Sequence, residues 1–169
     1  MSSFIAQTTP PQSQPEVACT REFWRELVQA LRERGHHGRR ESGAFLLGER
    51  VDGQARISQF VPYDDLDPHS LDTGIVRFDG RYYGALWERC RASGLIVVCD
   101  VHTHPCGAGQ SLSDRANPMI SAAGHIAFIL PRYAMDDAPM EEIGMYRHLG
   151  GRRWCTVPVR DRSYFLRIW

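Results

Sequence analysis

The sequence predicts an α+β domain in which a curved, mostly antiparallel sheet is flanked by helices, and three observations carry that expectation. Segments of strand length with apolar or alternating character recur at 44–47, 56–61, 95–99 and 125–130. The dipeptide Asp52-Gly53 between the first two is a two-residue hairpin signal. Ahead of them Phe23, Leu27, Ala30 and Leu31 recur at helical spacing. Helices set between hairpins, without a regular strand–helix alternation, define the α+β class.

In chain order, residues 1–18 are rich in Pro, Gln, Ser and Thr and predict a flexible leader, which leaves 19–169 as a single domain. Thr20 caps a helix through about Arg34, with Glu22 in its first turn and Gly35 as its stop. The hairpin follows. Residues 62–74 are polar and acidic with two prolines and read as a loop; 75–78 suit a short strand. Residues 80–93 read as a helix with Tyr83, Leu86, Trp87 and Cys90 toward the core. The run Leu95 to Cys99 is a buried strand ending at Asp100, and 113–123 read as a helix carrying Pro118 in its early part. After the 125–130 strand come a surface loop at 131–139 and a closing antiparallel pair at 141–147 and 153–159. Tyr164, Phe165, Leu166, Ile168 and Trp169 are too apolar to be left exposed, and are expected to pack on the core or on a partner.

At 169 residues, 43% hydrophobic and 24% charged, the chain suits one globular core. A formal net charge of zero gives no electrostatic footprint for nucleic acid or an acidic membrane. No apolar run approaches the ~20 residues that span a bilayer. Residues 1–15 lack the basic start and apolar stretch of a secretion signal, so the expectation is a cytoplasmic protein with no nucleic-acid and no membrane partner. The five cysteines are scattered, with no C-x-x-C pair, and suit reduced thiols.

The chemistry concentrates in Val101-His102-Thr103-His104-Pro105 and Ser111-Leu112-Ser113-Asp114. Along an extended chain His102 and His104 fall on one face, so both imidazoles point the same way. A catalytic zinc takes three protein ligands and leaves a fourth position for water. His102, His104 and Asp114 fill that quota as metal ligands, predicting one catalytic zinc ion. Ser111-x-x-Asp114 is also a capping-box variant, and cap and ligand are compatible. Cys106 as a thiolate nucleophile served by His104 is a competing reading, but it leaves Asp114 unexplained.

Together with Glu41 at the head of Glu41-Ser42-Gly43-Ala44-Phe45-Leu46-Leu47-Gly48, these motifs resemble the JAMM (MPN-plus, JAB-domain) zinc metalloproteases over roughly residues 40 to 131. The resemblance implies the MPN/JAB, cytidine-deaminase-like fold. It implies zinc on His102, His104 and Asp114, with Glu41 and Ser111 as catalytic residues. Glu41 would move the water's proton and return it to the leaving amine, and Ser111 would donate to the developing oxyanion. Six residues separate His104 from Ser111, where the family more often has seven, so Ser113 stays a weaker candidate for the serine role.

The resemblance further implies a deubiquitinase-like isopeptidase or peptidase that cuts after the C-terminal glycine of a ubiquitin-like protein, either deconjugating targets or maturing a precursor. Small bacterial members are similar in serving ubiquitin-like conjugation operons, including antiphage systems. Implied partners are the ubiquitin-like protein and its conjugates, with E1- and E2-like proteins of the same operon. An alternative is a peptidase trimming a sulfur-carrier protein or its amino-acid adduct, and a non-enzyme alternative is a metal-free MPN scaffold. The loops at 62–74 and 131–139 are expected to hold the substrate tail. All 20 basic residues are arginine. Codon usage and escape from lysine-targeted conjugation both account for that.

Overall fold

A computed structural model describes residues 14–169. Residues 1–13 of the expected leader lie outside that range, and its last two positions belong to the sheet: Val17 and Ala18 are fully buried in β1 (Val17–Cys19). The other strands are β2 (Gly43–Val51), β3 (Gln54–Pro62), β4 (Ile96–Thr103), β5 (Ile126–Leu130), β6 (Gly144–His148), β7 (Trp154–Thr156) and β8 (Leu166–Ile168). They form one sheet in the order β7-β6-β5-β4-β2-β3-β1-β8. The helices are α1 (Arg21–Arg34), α2 (Tyr63–Leu66), α3 (Tyr83–Ser93), α4 (Leu112–Ala116) and α5 (Arg162–Phe165). This is the expected α+β class. Four of the seven strand pairings are antiparallel; β1 with β3, β1 with β8 and β4 with β5 are parallel.

The sheet is covered on both faces because its central strand is apolar on both. Along β2, Ala44 and Leu46 pack with Leu27 and Leu31 of α1, while Phe45 and Leu47 point the other way toward Tyr63 and Leu86. Helix α1 starts where Thr20 predicts, its hydroxyl accepting from the Phe23 N–H, and ends at Gly35. Val28 is the buried residue of that face where the spacing pointed to Ala30, which is only partly covered. The hairpin turns at Asp52-Gly53, both with positive φ (50° and 82°), as a two-residue turn of this kind requires.

Several expectations give way to local physics. Tyr63 to Leu66 is a helical turn within the expected loop, because Tyr63 and Leu66 bury one spacing apart with Asp64 and Asp65 in the first turn. Residues 75–78 join no ladder; their backbone is spent on contacts described below. Helix α4 stops at Ala116 instead of running to 123, since Pro118 disfavours helical geometry in the residue before it. Trp87 is exposed and stacks on Tyr83, so only Leu86 of the expected core set is fully buried. In the terminal segment Phe165 and Leu166 are buried as expected, whereas Tyr164 and Trp169 remain exposed.

Gly48 marks where β2 shifts register against β3. A Cβ there would sit 1.9 Å from the Arg56 carbonyl oxygen, so something must move. Gly48→Ala should therefore lower stability by about 1–3 kcal/mol, read as a lower urea midpoint at unchanged slope. Gly84, exposed near the start of α3, has nothing within 4 Å of an added Cβ. Gly84→Ala should shift the midpoint upward, by about 0.5–1 kcal/mol; a shift of the same sign in both variants would refute the contact argument.

Candidate metal centre

Strand β4 carries the first candidate ligand, His102, and its continuation the second, His104. His102 pairs with Gly43 of β2 and Ile129 of β5, in the middle of the sheet. Just past the strand end, the His104 N–H donates to the Leu130 carbonyl (2.9 Å), and its carbonyl accepts from the Tyr133 N–H (2.8 Å). The two-residue alternation of an extended chain puts both rings on one side, their Nε2 atoms 2.9 Å apart. Across the loop, α4 begins with the capping box that the sequence suggests. The Ser111 hydroxyl accepts from the Asp114 N–H (3.1 Å), and the Ser111 N–H donates to Asp114 Oδ2 (2.6 Å). That fixes Asp114 so that Oδ1 lies 3.4 Å from His102 Nε2 and Oδ2 lies 3.2 Å from His104 Nε2.

These three residues could hold a metal ion, their ligand atoms lying within 4.8 Å of one another. Bond lengths of ~2.0–2.1 Å to nitrogen and oxygen in a tetrahedral site place neighbouring ligand atoms roughly 3.3 Å apart. The imidazole nitrogens are 2.9 Å apart and each has an Asp114 oxygen at a comparable distance, Oδ1 at 3.4 Å from His102 and Oδ2 at 3.2 Å from His104, so the carboxylate spans the two rings with both of its oxygens. Two imidazole nitrogens and one carboxylate oxygen are a donor set suited to zinc. Burial pushes the Asp114 carboxyl up, but hydrogen bonds from His102 and His104 outweigh it and hold the group far below the usual carboxylate range. For His104, burial works against the charged ring, yet Asp114, Glu41 and a Gly109 backbone hydrogen bond win and raise its pKa.

Glu41 lies two residues ahead of β2, and its Oε1 is 4.0 Å from His104 Nε2. Its position comes from a contact that the sequence did not disclose. The Glu41 N–H donates to the Gly74 carbonyl (2.9 Å), and Glu41 Oε2 accepts from the Val76 N–H (3.0 Å). Glu41 is thus clamped to the 74–76 segment with one carboxylate oxygen facing the histidines. Ser111 and Ser113 are both exposed at the start of α4. Cys106 is exposed, and no hydrogen bond joins its thiol to His104 among the described residues.

A second buried polar group lies next to the centre. Asp100, on the His102 face of β4, accepts from the Tyr63 hydroxyl (3.2 Å) and faces His125 Nε2 at 2.5 Å; all three residues are buried. Gly43 is needed here, because a Cβ would lie 2.3 Å from the Tyr63 ring. A cleft of about 420 Å³ opens on Asp114 and is lined by Val76, Arg77, Phe78, Tyr83, Ser113 and Met119, among others. Neither 62–74 nor 131–139 lines it. Asp136, Asp137 and Ala138 of the second loop border a separate cavity of about 260 Å³ against Trp24 and Val28.

No family model matches the chain. Over 131 residues it is 29% identical to a curated protein of Salinibacter ruber named bifunctional protein FolD, covering 71% of this chain. The chain spans 41% of the length of that relative. Among solved structures it is similar to a solution structure of a Desulfitobacterium hafniense protein, with a TM-score of 0.61 and 14% identity over 90% of this chain and 92% of that one. It is also similar to the solution structure of a Salinibacter ruber protein, with a TM-score of 0.54 and 16% identity over 83% and 88% of the two chains. At these identities both likenesses speak to the fold alone. Among the described residues no helix is long and apolar enough to cross a membrane.

Proposed function

We propose that this chain is a zinc-dependent peptidase of the JAMM/MPN-plus type that hydrolyses the amide bond after the C-terminal glycine of a ubiquitin-like protein. The observation that carries the reading is the convergence of five motif residues from three separate segments. His102, His104 and Asp114 bring their ligand atoms within 4.8 Å of one another, Glu41 Oε1 stands 4.0 Å from His104, and Ser111 caps the helix that presents Asp114. A metal-free scaffold gives no reason to keep the ligand set together, so the enzyme reading is preferred.

In this reading the ion, when bound, polarises the scissile carbonyl and acidifies the attacking water. Glu41 Oε1 accepts the water's proton and passes it to the leaving amine, while the Val76 N–H holds Oε2 still. The Ser111 hydroxyl accepts from the Asp114 N–H, which leaves its own proton free to donate to the developing oxyanion. In this reading the substrate tail lies in the cleft of about 420 Å³ beside Asp114, and a tail ending in glycine lets its backbone approach the site without a side chain in the way.

The test is a fusion carrying a ubiquitin-like protein that ends in glycine, incubated with the purified enzyme and read by mass spectrometry. The expected product ends at the C-terminal glycine, and a chelator abolishes it. An intact fusion and intact lysine conjugates, alongside trimming of a sulfur-carrier adduct, would replace this substrate class with the alternative one.

A further inference from the structure

A histidine that offers Nε2 to a metal carries its ring proton on Nδ1, and that N–H needs an acceptor to hold the tautomer and the ring angle. The Nδ1 of His102 is buried and has no hydrogen-bond partner among the described residues. Gln110 Oε1 is also buried without a partner. Both residues, with Asp100, line one small cleft of about 20 Å³ next to the metal ligands. A volume of about 10–15 Å³ accommodates one water molecule, which needs two to four polar partners.

Resting on the metal-centre reading, we propose that one buried water fills this cleft. It accepts from the Nδ1–H of His102 and donates to Gln110 Oε1 and to the Asp100 carboxylate, making Gln110 a positioning residue for the ligand His102. The amide oxygen is the atom required, since a donor at that point would face the ring N–H. Asp100 has room for the third bond: Tyr63 and His125 take one contact on each of its oxygens, and a carboxylate offers about four acceptor sites. The water thereby joins the buried Tyr63–Asp100–His125 group to the metal centre, giving a carboxylate-supported histidine with one molecule interposed.

The experiment compares wild type, Gln110→Met and Gln110→Glu for zinc affinity by chelator competition, using zinc alone as the probe. A crystal structure of each protein is also read for a water within hydrogen-bond reach of His102 Nδ1, residue 110 and Asp100. Gln110→Met keeps the length and removes the acceptor, so zinc should bind about 10- to 100-fold more weakly. The bridging water should also be lost. Gln110→Glu keeps an acceptor and should bind zinc at least as well as wild type with the water retained, a rescue that a packing role would not produce. Wild-type affinity with the water in place in Gln110→Met would overturn the proposal, as would equal losses in both variants. If Gln110→Met loses its circular dichroism, Gln110→Ala replaces it under the same expectation. Absence of zinc binding by wild type would sink the metal-centre reading, and the crystallographic water would still decide the Gln110 contact.

Discussion

Purified protein should carry close to one zinc ion per chain, and His104→Ala should lose nearly all of it. The ligand set has three members, and removing one leaves a nitrogen and a carboxylate that must hold the ion against water and buffer. The neighbouring groups offer no replacement of the same kind. Glu41 is anchored to the Val76 N–H, and the exposed thiol of Cys106 is not hydrogen-bonded to the histidines. The fold should survive, because what fixes this residue in the sheet is its backbone: its N–H bonds to Leu130 and its carbonyl to Tyr133 whatever the side chain. Metal content by mass spectrometry together with circular dichroism separates the two effects. Equal zinc in wild type and a folded His104→Ala protein would show the ligand assignment to be wrong.

What the sequence made legible is what local rules decide. The Thr20 cap, the Gly35 stop and the Asp52-Gly53 hairpin depend on neighbours in the chain, and each occurs where its own residues place it. The common face of His102 and His104 was legible for the same reason, since side chains two apart on a strand share a face. The capping box of Ser111 with Asp114 was likewise local and occurs as the Ser-x-x-Asp spacing suggests. Less visible was anything set by a distant partner. The parallel pairings of β1 with β3 and β8 join a three-residue strand to partners far away in sequence, with no turn to announce them. The Glu41 clamp runs through the backbone N–H of Val76, a group every residue but proline possesses. Likewise, Asp100 found Tyr63 and His125 across separations of 37 and 25 residues, and no spacing rule connects them. Helix α4 ends earlier than the sequence suggests because Pro118, expected in the helix's early part, disfavours helical geometry at Asn117.

Glu41→Gln should leave fold and zinc content unchanged while turnover of the fusion substrate falls by about a hundredfold or more. The substitution isolates one property. A glutamine side chain has the same length and still offers an amide oxygen to the Val76 N–H, so the clamp on the 74–76 segment is retained. Glu41 contributes no atom to the candidate ligand set, its Oε1 standing 4.0 Å from His104 Nε2, so the substitution removes none of the atoms that would hold the metal. What the amide lacks is the ability to take a proton from water and release it to the departing amine, and both half-steps of the proposed hydrolysis need that. The loss should therefore fall on kcat with KM little changed, the pattern of an interaction made in the transition state only. Retention of substrate binding by the zinc-loaded variant, measured as inhibition of the wild-type enzyme, separates lost chemistry from lost recognition. A zinc-loaded Glu41→Gln protein with wild-type turnover would remove Glu41 from the reaction and require another base within reach of the site.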